Sequence, residues 1–334
     1  MTSHLLPPDR RDDRWSYRQA GVFGALAAIV IAVMVMFPPQ RLLGSVFGPP
    51  VAPSAVSRAD AFGSSGEVRL LLKLPDERFD FPVENAPARP GAMYQWVKAA
   101  DSGAVTQYAA LGSGTVTSPP NPGFYHLAVT ENGSRTILGD LTVAVMVPFN
   151  AKVGPSLNGY RIGTYTAEHT RGGAKAPPQG FVEVWPGDAD LWVTQHLQLA
   201  DFLTHDGQQR WPRYVALDRR ILDKVELVLE QLGGRYRPML VDVHSGFRTP
   251  LYNMRVPRAA SDSRHQYGDA VDLALDADGD GRVSYFDILA IARAVDIVEE
   301  RHPELVGGMG VYGNRGNAPY VHIDVRGERK RWRG

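Results

Sequence analysis

The stretch "SRHQYGDAVDLALDADGDGRVSYFD", Ser263 to Asp287, holds candidate metal ligands of two kinds in one short run. His265 and Asp272 sit in an H-x-x-G-x-A-x-D pattern, and their imidazole and carboxylate suit a transition metal. Asp276, Asp278, Asp280 and Asp287 offer only oxygen, which suits calcium. The segment between the two sets reads as an extended strand. Four steps of about 3.3 Å then put Asp276 roughly 13 Å from Asp272. A bridged metal pair is ~3.5–4 Å apart, so the stretch predicts two separate sites joined by a strand.

The first set needs a third ligand, and His322 in "PYVHIDV", on a predicted strand, supplies it. Two imidazoles and one carboxylate make a sensible catalytic zinc set, with the fourth tetrahedral position left for water. Zinc would bring that water towards a pKa of ~7 and polarise a carbonyl. Small residues at Gly268 and Ala270 let the backbone turn tightly and let a partner approach. The bland alternative is a hydrogen-bonded histidine in a glycine turn. A non-haem iron site, suggested by H-x-D at His322, needs a further histidine downstream, and none of the nine histidines follows His322.

The second set, "DADGDGRVSYFD", fits an EF-hand loop over 276–287. Asp276, Asp278 and Asp280 supply oxygens, Gly281 makes the sharp turn, the Arg282 carbonyl is the backbone ligand and Asp287 closes the loop. Asp stands at the twelfth position, where Glu usually binds through both oxygens, which predicts weaker calcium binding. The alternative is an Asp/Gly turn without metal.

Three motifs in order, "HSGFRTPLYN", "SRHQYGDAVDL" and "YVHIDVRG", resemble the zinc D-alanyl-D-alanine carboxypeptidase family, whose fold is shared with the hedgehog signalling domain. The resemblance covers roughly Leu197 to Trp332. It implies that His265, Asp272 and His322 bind zinc, that Arg248 contacts the substrate and helps stabilise its carbonyl oxygen, and that Ser245 supports the site. It further implies hydrolysis of peptidoglycan peptides near D-alanine, as a D,D-carboxypeptidase or a cross-link endopeptidase. One departure matters. Many members carry an acid three residues before the last zinc histidine, where this chain has Pro319. Asp324 shares the face of His322 on a strand, and is either the catalytic base or a group that orients His322; Asp269 is a further candidate. The departure leaves room for a zinc-containing peptidoglycan-binding module without turnover. An amidase or L,D-specific peptidase on the same fold is another reading.

The rest of the chain places this part. The sequence has 334 residues, room for about two domains plus tails. Its 36 basic and 36 acidic residues cancel, which removes the electrostatic case for nucleic acid. Without cysteine there is no disulfide, thiolate zinc site or cysteine nucleophile. "AGVFGALAAIVIAVMVMF", Ala20 to Phe37, is apolar enough to span a ~30 Å hydrocarbon core. Arg10, Arg11, Arg14 and Arg18 precede it, which predicts a single-pass anchor in the cytoplasmic membrane with the N-terminus inside. The bulk then lies in the periplasm or outside the cell; a cleaved signal peptide is the alternative. Residues 1–19 read as a cytoplasmic tail and 38–65 as a Pro/Gly/Ser/Ala linker. Short strands over 66–149 predict a small β-sandwich-like domain. Residues 150–196 read as a β-rich connection and 197–334 as an α+β zinc peptidase domain. Within it, Tyr214 to Leu232 and "YFDILAIARAVDIVEERH" read as helices and "RGERKRWRG" as a basic tail.

Overall fold

A computed structural model describes residues 62–80, 93–109, 115–170, 175–234, 239, 241–313 and 318–334. The predicted tail, membrane anchor and most of the linker lie outside the described residues, and no helix among those described is long and apolar enough to cross a membrane. The described chain is α+β, with antiparallel and mixed sheets and three α-helices.

The N-terminal part is strand-built. Strands β1 (Leu70–Lys73), β3 (Met93–Lys98), β4 (Asp101–Ala109), β6 (Gly123–Glu131) and β7 (Ser134–Val145) form one sheet in the order β1-β7-β6-β3-β4. All neighbours are antiparallel except β1 and β7. The β6–β7 hairpin closes on Asn132 and Gly133, both at positive φ, as a two-residue turn matching strand twist requires. Alternation splits the strands between two cores. Leu71, Trp96, Tyr125 and Val143 face one cluster, which the ribbon of β2 (Arg78–Asp80) and β5 (Thr115–Thr117) covers with Phe79 and Val116. Leu70, Phe124 and Ala144 face the main core.

The segment 150–196 joins that main core rather than hanging free. Strands β8 (Val147–Pro148), β11 (Gly180–Val184) and β12 (Arg213–Val215) make a three-stranded sheet, and β9 (Ser156–Leu157) pairs with β10 (Tyr160–Arg161) across Asn158-Gly159. Phe181, Tyr165 and Ile162 are buried there. The Tyr165 hydroxyl donates to the Gln266 carbonyl at 2.9 Å, which ties this segment to the histidine-bearing turn.

The first long helix starts later than the apolar periodicity suggests. Tyr214 is buried in β12, paired with Glu183, and the helix α1 (Arg219–Gln231) begins only after Asp218, whose carboxylate accepts from the Arg220 N–H. Its apolar stripe, Ile221, Val225, Val228 and Leu229, is fully buried. Three charged residues are buried with it, and each has a partner. Asp223 accepts from the Ser64 and Ser65 N–H groups, Lys224 pairs with Glu299, and Glu226 with His196. An unpaired charge in that position costs several kcal/mol.

The C-terminal sheet holds β13 (Val241–Ser245), β14 (Ala270–Leu275), β15 (Gly308–Tyr312), β16 (Tyr320–Asp324) and β17 (Lys330–Arg333), in the order β13-β14-β16-β15-β17. A short helix α2 (Pro250–Asn253) lies between β13 and β14 in sequence. Helix α3 (Tyr285–Arg301) packs on the sheet through Ile288, Ile291, Val295 and Val298 and stops before Pro303. Strand β14 is buried at all six positions, as expected of a central strand covered on both faces. The segment read as a basic tail is the edge strand β17, parallel to β15. One of its charges is paired, for Arg331 bonds Asp296 and Glu299 of α3.

Register organises everything that follows. Ser245 lies opposite Asp272, Asp272 opposite His322, His322 opposite Gly310, and Gly310 opposite Trp332. Directly opposed residues share a face of the sheet. One row across five strands therefore carries a hydroxyl, a carboxylate, an imidazole, a gap and an indole. The gap is required: a Cβ on Gly310 would stand 2.3 Å from the Trp332 indole nitrogen.

Candidate metal centre

His265 enters this row from the 3-10 turn Arg264–Tyr267, which Gly268 ends in the left-handed region at φ 71. A Cβ there would meet the Ala216 carbonyl oxygen at 2.0 Å, so the glycine answers both a backbone conformation and a close approach. His265, Asp272 and His322 are all buried and together form a group able to hold a metal ion.

The hydrogen-bond partners fix which atoms face one another. His265 Nδ1 is 2.7 Å from the Gly246 carbonyl, which only accepts, so Nδ1 carries the proton and Nε2 the lone pair. His322 Nε2 is 3.2 Å from Asp324, so in the neutral ring Nε2 donates and Nδ1 holds the lone pair. Asp272 Oδ1 is an acceptor. His265 Nε2 lies 3.2 Å from Asp272 Oδ1 and 3.1 Å from His322 Nδ1, and the last pair is 2.9 Å apart. With neutral rings, three lone-pair atoms thus converge with no donor between them, an arrangement a cation satisfies. Ligands ~2.0–2.1 Å from a tetrahedral zinc are about 3.3–3.4 Å apart, so the set fits such an ion with shifts of a few tenths of an ångström. Burial lowers His265, while Asp272 and Asp324 raise His322 against its own burial. Burial raises the Asp272 carboxyl, but its bonds and charge interactions with His265 and His322 outweigh that and hold it well below the usual range.

Around this set the predicted helpers separate. Arg248 donates from Nε to Ser245 at 2.7 Å and from a terminal nitrogen to Asp272 Oδ2 at 2.5 Å. Ser245 thus orients the guanidinium, and Asp272 spends one oxygen on the histidine side and the other on Arg248. Asp324 is fully buried and lies on the far nitrogen of His322. It also accepts from Arg326 and from the Gly308 N–H. Burial raises it, but His322, Arg326 and Gly308 hold it well below the ordinary carboxylate range. Asp269, the other carboxylate considered, is held by Lys175 and Arg264 and does not line the cleft. His244 bonds Asp242 at 2.9 Å and lays its ring against Tyr320.

The set opens into a cleft of ≈ 900 Å³. One wall is aromatic. Tyr312 stacks on Tyr320 at 4.6 Å, the Trp332 indole N–H donates to the Tyr312 hydroxyl at 2.7 Å, and Trp332 packs on His322 at 5.2 Å. Most of residues 256–264 also line the cleft, and this segment is clamped by Asn253 Nδ2 on the Ala260 carbonyl, Gln266 Nε2 on the Ser261 carbonyl and Tyr267 on Asp262. Arg258 sits in this segment at φ 62, a conformation that costs a side-chain-bearing residue about 1–2 kcal/mol. Sequence reading missed Trp332, Arg326, Arg258 and Lys330. For Arg326 the signal was present: Asp324 and Arg326 are two apart on one extended run.

The acidic loop forms a second, separate cluster. Asp276, Asp278 and Asp287 each place a carboxylate oxygen within 4.8 Å of the others and form a group able to hold a metal ion. Asp280 lies outside that group, its Oδ1 accepting from the Arg282 N–H at 2.8 Å. Asp287 is buried, accepts from the Ala277 and Asp278 N–H groups, and completes a capping box with Ser284 at the start of α3.

Compared with models of protein families, with curated proteins and with solved structures, the chain shows no match.

Proposed function

We propose that the protein is a zinc-dependent peptidase that hydrolyses peptidoglycan peptides, as a D,D-carboxypeptidase or endopeptidase. The resemblance of its C-terminal part to the zinc D-alanyl-D-alanine carboxypeptidases and the hedgehog signalling domain supplies the substrate class. The observation that carries the reading is the convergence of His265 Nε2, Asp272 Oδ1 and His322 Nδ1 at the floor of a cleft that Arg248 also lines. Those three residues would hold the ion. A bound zinc ion supplies Lewis acidity and a readily ionised water at neutral pH.

The chain's own groups do the rest. Arg248 uses two of its five N–H donors on Ser245 and Asp272, and offers the remainder to a substrate carbonyl oxygen or carboxylate. Donors fixed in advance stabilise the oxyanion that develops as the peptide carbon becomes tetrahedral. Asp324 holds the His322 ring in the tautomer that leaves Nδ1 free, and Arg326 holds Asp324. We assign Asp324 this positioning role rather than proton transfer, because its carboxylate is fully buried behind His322. The Asp276–Asp287 loop, in the same reading, binds calcium weakly and fixes the start of α3. The apolar run Ala20–Phe37 anchors the protein in the cytoplasmic membrane, with the peptidase outside the cytoplasm.

A second reading is a zinc-containing peptidoglycan-binding module without turnover. Pro319 in place of an acid favours it. Purified muropeptides incubated with the zinc-loaded chain, with His265→Ala as control, separate the two. The peptidase reading expects a mass-identified product from the native chain and none from the variant. Retained zinc with no product from any muropeptide would overturn it.

A further inference from the structure

We propose that the cleft selects peptides with a free carboxylate away from the bond to be cut, and that Arg258 and Lys330 recognise it. The nature of the ligand, a peptide, rests on the peptidase reading above; the charge preference rests on the cleft itself.

Five cationic side chains line the cleft, Arg248, Arg258, Arg264, Arg326 and Lys330, against two acidic side chains, Asp262 and Asp272. Three of the cations are committed. Arg248 bonds Asp272, Arg264 bonds Asp269 and Arg326 bonds Asp324. Both acidic side chains are committed too, Asp272 to the histidines and Arg248, and Asp262 to the Tyr267 hydroxyl. Among the described residues, the Arg258 guanidinium and the Lys330 ammonium have no ion-pair or hydrogen-bond partner. Among the described side chains, the cleft therefore presents two positive charges without an acidic side-chain partner.

Their placement argues for selection rather than chance exposure. Arg258 stands on the clamped segment, at a left-handed position where glycine or asparagine would be easier. That segment is held at Ala260, Ser261 and Asp262 by Asn253, Gln266 and Tyr267, which restricts the backbone that carries Arg258. Lys330 belongs to a different element, the edge strand β17 that also brings Trp332 onto His322. Two cations from separate elements can approach a bound peptide's carboxylate from different parts of the cleft lining. A guanidinium fork matches a carboxylate. A nucleic-acid backbone would call for a longer basic stripe and a basic chain, and this chain is neutral overall.

The test uses the full chain, zinc-loaded, in neutral detergent. Two pentapeptides ending in D-Ala-D-Ala are compared, identical except for one internal glutamate or glutamine. Calorimetry at low salt reads affinity, and mass spectrometry reads cleavage. The glutamate peptide is expected to bind roughly fivefold tighter, as two exposed ion pairs allow, and the preference should shrink in about 1 M salt, where screening acts within ~3 Å. In the double variant R258Q/K330Q the preference should vanish, with zinc content and affinity for the glutamine peptide unchanged. Equal affinities in the native chain, binding of neither peptide, or a preference that survives the double variant would overturn the proposal. Charge-selective binding without product would sink the peptidase reading and leave this one standing; product without charge preference would do the reverse.

Discussion

The two clusters joined by β14 are built from opposite materials. The His265–Asp272–His322 set draws on a turn and two strands, and His322 lies 57 residues from His265. With neutral rings its three inward atoms are all acceptors, and among the described residues nothing donates to the point where they meet. The Asp276–Asp278–Asp287 set comes from one short loop. Its oxygens already take backbone donors, with Asp276 accepting from Gly279, Asp280 and Gly281 N–H groups and Asp287 from Ala277 and Asp278. A cation completes the first set, whereas the second is largely complete as a folded turn. A buried site assembled from distant segments links its ion to the whole fold. A local exposed loop links its ion to one helix start.

The largest test of that contrast is metal removal. Stripping zinc from the full chain should cost about 4 kcal/mol of unfolding free energy, the linkage expected when zinc is held near a thousandfold above its dissociation constant. Denaturant unfolding of loaded and stripped protein measures it. No difference between the two would erase the distinction between the clusters.

Next in size is Asp324→Asn. It keeps the side-chain shape but weakens the group that orients His322 and leaves Arg326 without its anion. Zinc affinity should fall about 10–100-fold, read by competition with a chelating dye. The acidic loop should be unaffected. If zinc affinity holds while hydrolysis disappears, Asp324 moves protons and the positioning role is wrong.

Calcium should act more weakly. With a dissociation constant near ~0.5 mM, within the range of extracellular modules, about 2 mM calcium adds about 1 kcal/mol. The shift should vanish in Asp287→Asn, and zinc content should stay constant. Calcium chelation that leaves both melting temperature and zinc occupancy unchanged would make the loop a turn only.

The smallest effect separates pH from metal. His196 pairs with the buried Glu226, and that bond raises its pKa against the opposing effect of burial. The raised value means its stabilisation is full below about pH 6.5, the ordinary histidine value, and is lost as pH rises through the folded pKa. A loss under about 1 kcal/mol is expected on that rise, absent in His196→Gln. A variant that follows the native curve would assign the slope to other groups.

Much of the site was legible because its chemistry is local in sequence. The H-x-x-G-x-A-x-D spacing pointed to His265 and Asp272, and Gly268 announced a tight approach that the Ala216 carbonyl supplies. Period-two spacing put Asp324 on the His322 face and Arg326 within reach of it, but only tertiary packing showed the carboxylate buried and accepting from the Gly308 N–H. Strand β17 was read as a tail because four of the nine residues in "RGERKRWRG" are arginine. Only long-range pairing with β15 and distant partners, Asp296 and Glu299, turn that charge inward. The start of α1 was misplaced for a related reason, since the helical stripe continues through Tyr214 while pairing with Glu183 claims that residue for a strand. The EF-hand pattern counted Asp280 as a ligand; it lies outside the group of Asp276, Asp278 and Asp287 whose oxygens converge, and its Oδ1 accepts from the Arg282 N–H.

The row Ser245–Asp272–His322–Gly310–Trp332 also sets a clock. A chain made from its N-terminus delivers His265 and Asp272 before Gly310 and His322, and Trp332 last. The three-residue group cannot form until β16 takes its place beside β14. On the proposed peptidase reading, the chain has no activity until His322 joins His265 and Asp272, so completing the sheet is also what would switch it on.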